Sequence, residues 1–465
     1  MTRQYNITQK FRQYIWLIVG CGAISLYLYD WFMYPGIFHT EVAIDLPNFF
    51  KRGMNGANNL LATIFDLNTI EGGYYRPRIL AFLIQYYDIK WWDMLNKHLP
   101  WGGHWPMVVP ATILFVFGAQ YWIKCIDKTI SLQKAFGLGG LLLFLPHYIA
   151  GSFLFLRTAK LFVVGISFIL IGLFFHNEED EICKSDLPSA LARGFGISLL
   201  CTIDEQILGV VVMLASILGI RLIKKRSVNN GYFISLASAT IFYFVFYFTW
   251  GRWLCQYYTP GLRPEHPHDL SHLLRFGSYI VPGMQMFVRA LSRVTFNSTM
   301  VLGAFAILWV AMLVIARDTR VIFTSVFLMM AGLLFSIALV TAHPIIASLT
   351  EQSSGFYYNV TVIWAISAFV YPLSAVFCSG KGKYIWVAMC IIPVINCVYI
   401  QTNLSRYEFT HATQGGVFLE GTELINECLE KDEVKMMGVN KHYFDGLVYS
   451  EEEYLLYLQS NSINK

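Results

Sequence analysis

Residues 299–341 read TMVLGAFAILWVAMLVIARDTRVIFTSVFLMMAGLLFSIALVT, two uncharged apolar blocks at 299–316 and 321–341 with Arg317, Asp318 and Arg320 between them. A helix needs about 20 apolar residues to cross roughly 30 Å of hydrocarbon. A helix on the surface of a soluble domain keeps a charged face opposite its apolar one, and neither block has such a face. The stretch is read as two membrane-spanning helices joined by a tight basic turn.

The same signature recurs on both sides of it. Candidate spans fall at 13–32, 105–126, 136–155, 158–176, 190–203, 206–223, 232–250, 299–316, 321–341, 359–378 and 384–401. Composition agrees: of 465 residues 56% are hydrophobic and 14% charged, with a mean hydropathy of +0.50. A soluble domain carries about 25% charged residues, so too little polar surface exists here to cover a water-soluble globule. Backbone polar groups inside hydrocarbon must be satisfied within each segment. The expected fold class is therefore an all-α polytopic membrane protein with about eleven transmembrane helices. Arg3, Lys10 and Arg12 precede an apolar run too long for a signal peptide, and no small-residue cleavage site follows. That run is read as an uncleaved first span.

The net charge of +4 is scattered over short loops. A nucleic-acid partner is excluded, since binding one needs basic residues concentrated on a face. Nine cysteines include no CxxC pair and no His/Cys set with metal-ligand spacing, so they are read as small apolar packing residues. Nothing in the sequence calls for a metal or a cofactor.

Short-loop Lys and Arg set the orientation. With the amino terminus inside, every second loop is basic: Lys124, Lys128 and Lys134; Lys184 and Arg193; Arg221, Lys224, Lys225 and Arg226; Arg317 and Arg320; Lys381 and Lys383. The alternate loops are then outer ones. The first, 33–104, is long, and 251–298 and 342–358 follow. An odd span count leaves 402–465 outside as an acidic cap beyond a transmembrane domain of 1–401. The short span at 190–203 pairs with 206–223 either as two crossings or as a re-entrant hairpin.

The first outer loop is expected to hold two helices lying parallel to the membrane. Residues 46–65 are amphipathic. A second segment opens with Tyr74-Tyr75-Arg76-Pro77-Arg78, where Pro77 suits a first helical turn, and ends in Trp91 and Trp92, which suit an interface. Arg76 and Arg78 would sit at headgroup level, where a guanidinium grips phosphate oxygens bidentately; an ordinary phospholipid or a lipid-linked substrate would serve equally. Arg157 and Lys160 mark a basic outer turn, against the positional bias, and a phosphate site or snorkelling to headgroups explains them. Asp204 and Glu205 lie between two apolar runs, where ionisable groups are costly and tend to line pathways; helix-end capping is the plainer reading. Asp30, Glu41 and Asp45 are the acids of the first outer rim. The run Pro264-Glu-His-Pro-His-Asp269 has no recognised ligand spacing and is read as a solvated loop.

This layout of a first span, a long outer loop with early acids, a Tyr75-Arg76-Pro77 element and many further spans resembles the GT-C-fold membrane glycosyltransferases. Within them it looks most like the bacterial serotype-converting glucosyltransferases that decorate O-antigen. Ser152-Phe-Leu-Phe-Leu-Arg-Thr-Ala-Lys160 and Asp204-Glu-Gln206 strengthen the likeness, which covers most of the chain through short motifs. The resemblance implies a polyprenyl-phosphate sugar donor, a glycan acceptor such as lipopolysaccharide, and an inner-membrane enzyme whose active side faces the periplasm. By the same resemblance a first-loop acid acts as catalytic base, Glu41 first and then Asp30 and Asp45, although no Asp-Asp or Asp-Glu pair directly follows the first span. Asp204 or Glu205 would orient the acceptor or share that role, and Arg76, Arg78, Arg157 and Lys160 would hold the donor phosphate. A lipid-linked sugar flippase is the rival from another class, favoured by internal repeats, of which none is clear. An O-antigen polymerase or ligase is the nearest rival among enzymes.

Overall fold

A computed structural model of the protein describes residues 2–33, 60–65, 78–84, 86–87, 107–145, 158–179, 186–223, 229–259, 261, 276–294, 299–316, 318–342, 359–377 and 390–398. Among them every regular element is helical, as backbone satisfaction inside lipid demands. In chain order these are α1 (Thr2–Met33), α2 (Leu60–Phe65), α3 (Val108–Ile126), α4 (Leu132–Leu142), α5 (Thr158–Glu179), α6 (Leu187–Cys201) and α7 (Glu205–Ile223). They continue with α8 (Asn230–Phe248), α9 (Trp250–Tyr258), α10 (Phe276–Val294), α11 (Thr299–Ala316), α12 (Thr319–Ala342) and α13 (Asn359–Phe377).

Six helices among the described residues are long and apolar enough to cross a membrane: Val108–Ile126, Ala159–His176, Glu205–Ile223, Asn230–Tyr258, Thr299–Ala316 and Thr319–Thr341. The chain is a multi-pass helical membrane protein. Tyr14–Tyr29, Leu187–Cys201 and Val360–Val376 are shorter apolar helices that coincide with three further expected spans. The expected span at 136–155 is not one continuous helix. α4 stops at Leu142, and Leu143, Phe144 and Leu145 donate to the carbonyls of Gly140, Leu141 and Leu142 in a tightened last turn. Pro146 follows in sequence, which disfavours helical backbone at Leu145. At 384–401 the described part is a helix over 391–398. The expected span at 232–250 runs on past a break at Thr249 into α9, so the segment read as a second outer loop opens with helix.

The centre of the bundle is the crossing of α3 and α5. Phe115 and Phe168 meet edge to face at 5.5 Å, and Trp122 tilts against Phe168 at 5.1 Å. Trp122 also donates its indole N–H to Ser367 Oγ of α13 at 3.0 Å. The crossing is close because glycines form it: a Cβ on Gly118 would lie 2.5 Å from the Gly165 carbonyl oxygen. Small residues that let backbones approach are how helices associate where lipid removes the hydrophobic drive. α11 is the opposite case, with only Met312 buried among its residues and Met300, Ile307 and Val314 largely exposed. Such an uncharged exposed face suits lipid.

Pairings along the helices give the bundle two chemically distinct ends. α5 and α7 run parallel, since Lys160 meets Asp204 at one end and Arg221 lies 5.0 Å over the Phe174 ring at the other. Arg221 donates to Thr324 Oγ1 at the start of α12, and Ser374 near the end of α13 donates to the Ile126 carbonyl. Lys134 lies 5.7 Å over the Trp16 ring of α1. Lys124, Lys128, Lys134, Arg221 and Arg320 thus share one end, and Arg78, Lys160, Asp204 and Glu205 the other. The positive-inside pattern had assigned these two sets to opposite faces.

The close crossing yields a test. Gly118→Val should lower the unfolding temperature of the detergent-purified protein, in line with the ~1–3 kcal/mol that overpacking costs. Gly303→Ala on α11, where a Cβ meets nothing within 4 Å, should leave it unchanged or raise it.

Candidate functional site

The site is built on the turn between α6 and α7. Thr202, Ile203 and Asp204 make this turn, and all three are buried. Asp204 caps α7: its Oδ1 accepts from the Gln206 backbone N–H at 2.9 Å and its carbonyl from Ile207 N–H at 3.0 Å. Capping satisfies donors that a helix start leaves open. It does not neutralise a carboxylate taken out of water.

Lys160, from the first turn of α5, supplies the opposite charge by donating from Nζ to Asp204 Oδ2. The two side chains are 4% and 6% exposed, so each is held in place by the other's need for a partner. Burial works to raise the Asp204 carboxyl; the Lys160 ammonium, and behind it the Arg78 guanidinium, outweigh it and hold the group below the usual carboxylate range.

Glu205, the next residue, faces outward and is gripped by Arg78. Arg78 Nε donates to both carboxylate oxygens at 3.1 Å, and a terminal guanidinium nitrogen donates to Oε2 at 2.5 Å. Glu205 is 29% exposed against 6% for Asp204, so of the two acids it is the accessible one. Arg78 opens the helical stretch 79–84, its carbonyl accepting from Phe82 N–H at 3.0 Å. Leu80 N–H, otherwise an open donor of that first turn, donates to Thr202 Oγ1 at 3.3 Å. The stretch is packed on two sides. Ala81 and Ile84 join the main core, while Phe82 meets Ile64, Phe65 and Cys255 in a second cluster. Thr259 reinforces that cluster by donating its hydroxyl to the Phe65 carbonyl at 3.1 Å. The described part of the first loop is therefore wedged into the bundle, where a helix merely resting on a surface would bury one face.

Beside the two ion pairs lies a cavity of about 270 Å³. Its polar end is Arg78, Asp204, Glu205 and Gln206; Leu208, Val212 and Met213 of α7 and Phe335, Ala338 and Leu339 of α12 line the rest. Gly209 of α7 faces the Phe335 ring, and a Cβ there would lie 2.6 Å from it, so glycine permits the two walls to approach. Among the described residues no group of three or more His, Cys, Asp or Glu side chains converges in a way that would hold a metal ion.

Four of the candidates read from the sequence, Arg78, Lys160, Asp204 and Glu205, thus meet at one place from three distant segments. Asp30 lies in α1, with its side chain outside the described residues. Glu41, Asp45, Arg76 and Arg157 also lie outside the described residues. Two features were missed by sequence reasoning. Gln206 was quoted only as part of a motif, although a polar amide within an apolar run is itself a signal. The α12 wall carried no signal, because Phe335 and Leu339 look like any lipid-facing apolar residue. No protein-family model, curated protein or solved structure matches the chain.

Removing one member of a buried pair strands the other charge, at a cost of ~3–5 kcal/mol. Lys160→Met or Asp204→Asn should each lower thermal stability in detergent by about that much, and the double variant should recover part of the loss. Strict additivity would show the pair to be uncoupled. Because the folded Asp204 pKa is depressed, its contribution is complete above the unfolded carboxylate value near ~3.9 and is lost as pH falls through the lower folded value. Acid titration of the unfolding temperature in the wild type and Asp204→Asn should diverge above that window and converge below it.

Proposed function

We propose that the protein is a membrane glycosyltransferase that moves a hexosyl group, with glucose as the first choice, from a polyprenyl-phosphate donor to a hydroxyl of an outer-face glycan such as O-antigen. The supporting observation is the cavity itself, charged at one end by Arg78, Asp204 and Glu205 and apolar along α7 and α12. Its chemistry suits an amphiphile with a polar head and a hydrocarbon chain, and Arg78 is the group at that end which would meet an anionic head. Arg78 presents five N–H donors in a fork, the planar geometry that suits carboxylate and phosphate oxygens alike. Lys160, paired with Asp204, holds in place the turn that carries Glu205 behind it.

In the reaction the acceptor oxygen attacks the anomeric carbon while the bond from that carbon to the phosphate oxygen breaks. The leaving polyprenyl phosphate keeps the electron pair, and a single displacement inverts the anomeric centre. A carboxylate takes the acceptor proton. Glu41 is the first candidate for this base, with Asp30 and Asp45 behind it. Glu205, as the accessible acid of the turn, orients the acceptor or shares the role, and Asp204 positions the turn. Arg78 and Lys160, with Arg76 and Arg157, offset charge on the departing phosphate, the electrostatic contribution that is often largest at such sites. The reading places the protein in the inner membrane with about eleven spans, its site facing the periplasm and the basic end the cytoplasm.

Purified protein should transfer radiolabelled hexose from polyprenyl-phosphohexose to lipopolysaccharide from a panel of acceptors. Arg78→Ala should cut that rate about 10²-fold or more, and Glu41→Gln should abolish it if Glu41 is the base. Movement of intact donor across a vesicle bilayer without any transfer would instead assign the protein to lipid-linked sugar transport.

A further inference from the structure

Gln206 is the one residue of the cavity's polar end whose side chain is left unmet. It is 2% exposed, and neither its Nε2 nor its Oε1 has a hydrogen-bond partner. The residue is fixed in place, because its backbone N–H is tied to Asp204 Oδ1 in the first turn of α7. A buried amide with both ends open is among the more costly arrangements a fold can keep, and it calls for a bound partner that completes it, a ligand or a water. Thr112 Oγ1 and Trp364 Nε1 are also unmet in the core, but neither residue lines this cavity.

The kind of ligand follows from the two open atoms. The amide offers N–H donors and a carbonyl acceptor side by side. A phosphate dianion only accepts, so it would leave Oε1 unmet and bring negative charge toward it. A hydrocarbon chain would leave both atoms unmet. A hydroxyl, or two hydroxyls on adjacent carbons, donates and accepts at once and satisfies both. Arg78 at the same end is the group suited to an anion.

We infer that Gln206 reads the ring hydroxyls of a sugar carried on the lipid phosphate, making it a specificity-determining residue for the donor. The inference rests on the donor class proposed above and adds a sugar subsite to it. Phosphate at Arg78 and sugar hydroxyls at Gln206 would fix the anomeric carbon between them, at the mouth where Glu205 is exposed.

The test compares two lipids, polyprenyl phosphate and polyprenyl-phosphohexose, binding to the full chain in lipid nanodiscs. Gln206→Leu removes both polar atoms at similar volume, and its folding should be intact or improved because no buried amide remains unmet. Leucine should weaken binding of the hexose-bearing lipid about tenfold or more while leaving the bare phosphate lipid within about twofold, since losing a buried paired polar contact is discriminating. Equal binding of the hexose-bearing lipid by wild type and Gln206→Leu overturns the sugar subsite and leaves the donor class standing; it would mean that water meets the amide. Failure of both lipids to bind the unaltered protein overturns the donor class and this inference together.

Discussion

The rest of the site depends on a charge pair taken out of water, Lys160 with Asp204. Neither side chain has much access to solvent, so each keeps its charged form chiefly because of the other, with Arg78 adding to the hold on Asp204. That requirement ties the first turn of α5 to the turn ahead of α7 and fixes the amino ends of two spans at one level. Glu205 then emerges at a defined place, Arg78 can reach it, and the stretch 78–84 is drawn in against Thr202. The cavity between α7 and α12 opens beside this scaffold with a polar end already in position.

The arrangement separates two duties that a sequence cannot tell apart. Asp204 and Glu205 are chemically similar neighbours, yet one caps a helix and neutralises a buried ammonium while the other stands at the rim. A turn that buries one acid and exposes the next is a way to hold an accessible carboxylate rigidly. Among the described residues of the opposite end, Lys134 and Arg221 lie over aromatic rings, Arg221 also donates to the Thr324 hydroxyl, and Lys124 donates to the Lys128 and Ile130 carbonyls.

Much of the fold was legible because the bilayer constrains it so strongly. Blocks such as 299–316, which has no charge, and 158–176, whose one Lys or Arg is Lys160 near its start, announce themselves by length and apolarity, and α11 and α5 follow them closely. Arg78 and Lys160 stood out as basic residues on the expected outer side, and Asp204 and Glu205 as paired acids between two apolar runs, where charge is expensive. Their pairing was not legible, since it joins segments 44 and 127 residues apart through a tertiary turn. The end of α4 at Leu142 was missed because apolarity continues past it while the backbone does not, a proline effect that hydropathy cannot register. Gln206 was overlooked for a related reason: an amide in an apolar run tells of cost, but only three-dimensional packing shows that nothing meets it.

What matters most is whether a lipid-borne phosphate enters at the paired charges with its chain along α7 and α12. Photo-crosslinking of membranes with a polyprenyl-phosphate probe bearing a diazirine on its first isoprene unit, read by peptide mass spectrometry, measures this directly. Adducts on Met213 of α7 and Leu339 of α12, lost on competition with unlabelled polyprenyl phosphate and in Arg78→Ala, are the expected result. Adducts spread over the lipid-facing side of α11, at Ile307 and Val314, with none at the cavity, would contradict it.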